Sequence, residues 1–203
     1  MQLCFATNNA HKIEEVQAIL GVGFSLVSLR DVGCTEELPE EQSTLAGNSF
    51  QKAEYVFNQF HVSCFADDSG LEVDALGNAP GVHTAHYAGP QRNAEDNMAF
   101  LLKNLNGVNN RKARFKTVIT LMQPGSFHQF EGILRGVILN EKRGSGGFGY
   151  DPLFLPENSS KTLAEMTLDE KNKLSHRAMA VHQLAGFLRE NPAITTSLYL
   201  AHE

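Results

Sequence analysis

The chain reads as an α/β protein on a mixed sheet. Three observations say so: short strands alternate with amphipathic helices as far as Leu105, a long β-rich pair of segments with a tight turn follows, and the last third returns to helix. Gln2 to Ala6 has the length and apolar content of a buried strand. A polar turn leads into a helix from about Lys12 to Leu20, whose Ile13, Val16, Ile19 and Leu20 share one face. Gly21 and Gly23 stop it, and Phe24 to Leu29 reads as a second strand. Asp31 to Ser43 is acidic and loop-like. Asn48 to Phe60 is helical, with Phe50, Ala53, Phe57 and Phe60 spaced for a core face. Cys64 to Ala66 is a short strand that ends on Asp67 and Asp68. Asn93 to Leu105 is a further amphipathic helix, and Gly107 lies just beyond it.

Arg114 to Met122, the turn Pro124-Gly125-Ser126 and Phe127 to Leu139 predict a long hairpin. Thr167-Leu168-Asp169-Glu170 has the spacing of a capping box, in which a hydroxyl and a carboxylate satisfy exposed backbone donors. It opens a helical region reaching to about Asn191; the tail from Pro192 carries no signal. With no internal repeat, low-complexity tract or linker, residues 1–203 read as a single domain.

Composition narrows the function. Of 203 residues, 42% are hydrophobic and 20% charged, enough for a sizeable core. A net charge of −6 disfavours a polymeric nucleic-acid partner, since such proteins set a basic field over the phosphate backbone. A small anion stays possible where a few lysines gather. Cys4, Cys34 and Cys64 are odd in number and far apart, so buried thiols in a reducing, cytoplasmic setting fit better than disulfides or a zinc site. No signal-peptide pattern is visible, and no apolar run approaches the ~18 residues of a membrane span.

Four segments carry residues suited to chemistry. Thr7-Asn8-Asn9-Ala10-His11-Lys12 lies between a strand and a helix, where backbone donors and a lysine suit a phosphate; the same pattern serves a plain N-cap. Ala66-Asp67-Asp68-Ser69-Gly70 puts two carboxylates at a strand end, fit for a hard cation such as Mg²⁺ or for an exposed turn. While the strand persists, only one of the two can face a given side. Gly144 to Pro152 holds four glycines and two aromatics, Phe148 and Tyr150. Such a loop allows close backbone approach to a ligand and offers a face to a planar base, or serves as a hairpin connector. Lys171 with Ser175-His176-Arg177 supplies donors, or a solvated helix face. Zinc-protease, P-loop and serine-hydrolase signatures are absent.

Taken in order, these segments resemble the non-standard purine nucleoside triphosphate pyrophosphatases, the inosine/xanthosine triphosphate pyrophosphatase family. Also matching are Thr44-Leu45, Asn48-Ser49, Lys52-Ala53, Pro80-Gly81-Val82, Ala85 and Tyr87-Ala88-Gly89. Each is weak alone, but together, in register up to about Leu188, they are specific. The resemblance implies an elongated two-lobed α/β fold around a central mixed twisted sheet, with the nucleotide cleft between the lobes, and a homodimer. It implies hydrolysis of an NTP to NMP and pyrophosphate by attack at the α-phosphorus, with hypoxanthine and xanthine as favoured bases.

Carried over by position, Thr7, Asn8, Asn9, Ala10, His11 and Lys12 would hold the triphosphate, and Lys52 would add a catalytic cation. Asp68 would bind Mg²⁺ or orient the attacking water, with Glu40 at the second acidic metal position. Ser69 would touch the nucleotide. Phe148, Gly149, Tyr150, Asp151, Lys171, His176 and Arg177 would surround the base. Two departures stand out. Gly47 replaces an acidic residue usual before Asn48, and His83-Thr84-Ala85-His86 stands where the family usually writes Tyr-Ser-Ala-Arg. A non-catalytic nucleotide-binding module would lack a metal carboxylate, and Maf-like pyrophosphatases would lack Ser175-His176-Arg177 and the Gly-Phe-Gly-Tyr-Asp loop.

Overall fold

Alternation along the first strand sets the plan. In β1 (Gln2–Phe5), Leu3 and Phe5 point to one side and Cys4 to the other, and each side is covered by helix. The computed structural model describes residues 2–191; Met1 and the tail from Pro192 lie outside them.

The chain continues through α1 (Ala10–Leu20), β2 (Ser25–Val27), α2 (Leu45–Phe60), β3 (Cys64–Val73), α3 (Ala94–Asn104), β4 (Lys112–Gln123), β5 (Ser126–Ile138), β6 (Phe154–Pro156), α4 (Leu168–Asn172) and α5 (His176–Glu190). The sheet order is β2-β1-β3-β4-β5-β6. β1 runs parallel to both β2 and β3, whereas β5 and β6 are antiparallel, so the sheet is mixed as the sequence predicts. Only Pro124 and Gly125 separate β4 from β5, and so short a connection joins antiparallel neighbours.

Two compact units divide the residues. The first takes the chain up to Asp68, Thr117–Gly132 and the segment from Arg177; the second takes Ser69–Lys116 and Ile133–His176. In the first, Leu3, Phe5 and Phe65 pack with Val16 and Leu20 of α1 and with Val181, Leu184 and Leu188 of α5. Phe5 and Phe65 are register partners on neighbouring strands, and their rings stack with centroids 4.5 Å apart. On the opposite face Cys4, Ala6, Cys64, Ala66 and Met122 meet Ala53 and Val56 of α2. In the second unit, Leu71, Val73, Phe115, Leu134 and Phe154 from the strands pack with Met98, Leu101 and Leu105 of α3.

Three expectations need correction. β3 does not stop at Ala66 but runs ten residues through both aspartates, because Leu71 and Val73 continue the alternation into the second core. The deepest face of α2 is Leu45, Asn48, Ser49, Lys52, Ala53 and Val56, while Phe50, Phe57 and Phe60 are only partly buried beside it. Finally, the helical region after Thr167 is broken: the capping box is present, but α4 ends after Asn172 and α5 begins at His176.

Candidate active site

Asp67 and Asp68 sit mid-strand, so β3 sends them to opposite faces. Asp67 follows Phe65 to the side of α1 and α5; Asp68 follows Cys64 and Ala66 to the side of α2. Both are buried, which makes each dependent on a partner of opposite charge.

Asp67 finds two. Lys12 Nζ of α1 lies 2.8 Å from Oδ1, and Arg177 Nε of α5 lies 3.5 Å from Oδ2. Arg177 also donates through Nη1 to Glu15, one turn along α1 from Lys12. Two acids and two bases thus form a buried network tying both helices to β3. Burial works to raise the Asp67 carboxyl, but Lys12, Arg177 and Lys52 outweigh it and hold it well below the usual carboxylate range. For Lys12 burial dominates: its ammonium is lowered despite Asp67, with Lys52 and Arg177 adding to the effect.

On the other face Asn48 Nδ2 donates to Asp68 Oδ2 at 3.1 Å, and Lys52 Nζ stands 3.6 Å from Asp68 Oδ1. The same ammonium contacts Glu40 Oε1 at 2.5 Å. Burial raises the Asp68 carboxyl, and Lys52 and Lys12 only partly offset it. Lys52 shows the reverse balance. Desolvation acts to lower it, yet Asp68, Glu40 and Asp67 together raise it.

Glu40 and Asp68 are hard oxygen donors converging on one cation. Among the described residues no group of three or more His, Cys, Asp or Glu is placed to hold a metal. Two carboxylates nevertheless suit Mg²⁺, which commonly takes one or two from the protein and completes its shell with water and substrate phosphate. Gly47, one of the departures, has a local cause. A Cβ there would lie 2.7 Å from Gln42 Cβ, and Gln42 N–H is held by Asn48 Oδ1 at 2.8 Å.

Thr7 to Lys12 forms the entrance to α1. Asn9 is the N-cap, accepting from Lys12 N–H, and Thr7 Oγ1 accepts from Asn9 N–H at 3.2 Å. The capping reading therefore holds. Asn8, Asn9, Ala10 and His11 are also exposed, and the first turn carries no acid, so the positive end of the helix is open to an anion.

The remaining predicted residues, apart from Arg177, lie in the second unit. Ser69 continues β3 and is half-buried. Asp151 organises the glycine-rich loop: Oδ2 accepts from Phe148 N–H at 3.0 Å and from Lys171 Nζ at 2.8 Å. The Lys171 ammonium lies 4.7 Å from the centre of the Phe148 ring. Gly149 has φ of 62°, and Tyr150 donates to Thr84 O at 3.1 Å. His176 stacks on Phe115 at 4.8 Å. Gly144 and Gly147 serve the chain's own packing: a Cβ at Gly147 would fall 2.1 Å from Asp151 Oδ2, and one at Gly144 2.6 Å from the Ala164 carbonyl carbon.

The structure thus groups Lys12, Glu40, Lys52, Asp68 and Arg177 in one unit and Phe148, Asp151, Lys171 and His176 in the other. Glu15 is a polar centre outside every candidate segment, and Asn48 and Asp67, though within the quoted segments, carry no role of their own in the carry-over. Glu15 leaves one signal, an acid among the apolar positions of α1.

The model of the Ham1 family matches residues 3–187. The chain belongs to the Ham1 family. A dITP/XTP pyrophosphatase of Flavobacterium johnsoniae is 50% identical over 188 residues, spanning 93% of this chain and 98% of the relative. A dITP/XTP pyrophosphatase of Porphyromonas gingivalis is 51% identical over 188 residues, spanning 92% and 97%. Among solved structures, the Staphylococcus aureus Ham1 protein superposes with a TM-score of 0.86 at 33% identity, covering 94% of this chain and 99% of that one. Family membership bears out the resemblance read from the ordered segments.

Proposed function

We propose that this Ham1-family chain is a nucleoside triphosphate pyrophosphohydrolase. It converts dITP, ITP and XTP to the monophosphate and pyrophosphate and so removes them from the nucleotide pool. The observation that carries the reading is the convergence of Glu40 and Asp68 on Lys52, with Lys12 held by the adjacent Asp67. Relatives about half identical over nearly the whole chain bear the name dITP/XTP pyrophosphatase.

In this reading Thr7 to Lys12 cradles the phosphates with backbone donors and one ammonium, and Lys52 adds a second. Asp68 and Glu40 would hold a divalent cation, Mg²⁺ first. Once bound, the ion would offset charge developing on the leaving pyrophosphate. Water forms a bond to the α-phosphorus as the bond to the bridging oxygen of the pyrophosphate breaks. Asp68 orients that water and can take its proton.

Base choice falls to the second set, with Ser69 against the nucleotide. Phe148 offers a ring face, and the Lys171 ammonium, bonded to Asp151, lies 4.7 Å from the centre of that ring. Donors welcome the 6-keto oxygen of hypoxanthine or xanthine and oppose the 6-amino group of adenine. Arg177, read from the resemblance as a base contact, has its guanidinium within the Glu15 and Asp67 network of the first unit. We further propose that the chain acts as a single catalytic domain, in a cytoplasmic homodimer, without a membrane or polymeric nucleic-acid partner. Among the described residues no helix is long and apolar enough to cross a membrane.

The test is pyrophosphate release from ITP, XTP, GTP and ATP at subsaturating concentration, with Mg²⁺ and again with excess chelator. ITP or XTP should exceed ATP by at least about a hundredfold in kcat/KM, roughly 2.7 kcal/mol of transition-state binding, and chelator should abolish turnover. Equal processing of ATP and ITP would refute the base assignment, and full activity in chelator would refute the metal.

A further inference from the structure

The second departure from the family pattern, His83-Thr84-Ala85-His86, is used by none of the chemistry above. It forms most of a 3-10 helix, Gly81–His86. In such a helix residues three apart lie one above the other, because a turn takes three residues. The two imidazoles are therefore neighbours by construction: His83 Nδ1 lies 3.1 Å from His86 Nε2, the ring centres are 5.2 Å apart, and both side chains are exposed.

The backbone beneath them is held from several sides. Thr84 Oγ1 donates to Gly81 O at 2.6 Å and accepts from Leu71 N–H at 2.8 Å. Asn97 Nδ2 donates to Ala85 O at 2.9 Å, and its Oδ1 accepts from Ala88 N–H at 2.7 Å. Tyr150 donates to Thr84 O, and Gly89 N–H to His86 O at 3.0 Å. The backbone that carries both rings is thus held in place from several sides, and the two ring nitrogens face each other above it.

We propose that His83 and His86 form a two-imidazole chelate for a late-transition divalent cation, Cu²⁺ before Ni²⁺ and Zn²⁺. Metal–imidazole bonds of about 2.0–2.1 Å to nitrogens this far apart subtend close to 100° at the ion, between the square-planar and tetrahedral angles. Neutral imidazoles suit these ions and not Mg²⁺, so the site differs in chemistry from the carboxylates at Glu40 and Asp68. Coordination needs a lone pair from each facing nitrogen, so in the complex neither His83 Nδ1 nor His86 Nε2 carries a proton. Exposure leaves the other coordination positions to water. The ordering of ions follows the general rise of affinity to Cu²⁺.

The experiment uses the full chain, stripped of metal and returned to chelator-free buffer. Cu²⁺ alone is titrated by calorimetry, and the complex is examined by electron paramagnetic resonance, with millimolar Mg²⁺ present throughout. The wild type should bind one equivalent with hyperfine structure from two nitrogens. His83→Gln and His86→Gln should each weaken that event at least tenfold, and the double variant should lose no more than either single one, since a chelate fails when one arm goes. Circular dichroism checks that the variants fold, and ITP turnover in Mg²⁺ should be unchanged. A double variant that binds Cu²⁺ as the wild type does would overturn the proposal, as would displacement of Cu²⁺ by Mg²⁺.

Discussion

Asp67 and Asp68 are identical in type and adjacent in sequence, yet the fold gives them opposite fates. Asp67 is enclosed by Lys12 and Arg177, and Asp68 is raised by burial and answered only in part by Lys52. Asp68→Asn keeps the shape and the Asn48 contact but removes the charge. It should lower kcat by about a hundredfold or more while leaving nucleotide affinity nearly intact, as a steady-state assay beside a binding titration would show. Near wild-type turnover would remove Asp68 from the chemistry. Lys12→Ala and Lys52→Ala should weaken triphosphate binding far more than monophosphate binding, because each takes away a charge-assisted contact. Equal losses with both ligands would place the lysines away from the pyrophosphate. At this scale the sequence was informative about residue types and less so about pairing. That Lys12 meets Asp67 rather than Asp68 depends on the alternation of β3, and the sequence ended that strand too early.

Elements were the most legible level, and their errors have physical causes. β1, α1, α3 and the hairpin fall where periodicity and turn residues put them. The face of α2 was misjudged because its phenylalanines outshine its polar residues. Asn48 and Lys52 need the inner face to reach Asp68, and Ser49 needs it to donate to Ala66 O at 3.0 Å and accept from the Thr120 hydroxyl at 2.9 Å. A second capping box, Thr162 with Glu165, went unnoticed because it opens a single 3-10 turn. The glycine-rich loop was recognised, but its reason was only half visible. Gly147→Ala tests the other half: φ of 70° and contact with the Asp151 carboxylate make it strained and crowded. The variant should lose about 1–3 kcal/mol of stability in urea and should blur the preference for ITP over ATP as Asp151 is pushed from Lys171. Unchanged stability would show that the loop relaxes without cost.

Over the whole molecule, the α/β class and mixed sheet were readable because strand and helix periods differ so plainly. The division of the sheet between two packed units was not, since β3, β4 and β5 each contribute to both without a break in sequence. The core of the first unit has one further consequence. Cys4, Cys34 and Cys64 all lie inside it, and burial pushes their thiols upward, Cys4 to about 12. Thiolate is the reactive form, so these sulfurs are poor targets for alkylating or nitrosating agents. Nitrosating chemistry also strips exocyclic amines from purines and so generates hypoxanthine and xanthine. The folded chain should keep its ITP turnover through a nitrosating exposure and react with a thiol dye only after denaturation; rapid native labelling or loss of turnover would refute this. Under the function proposed above, the placement of these sulfurs shields the chain from the same chemistry that makes its substrates.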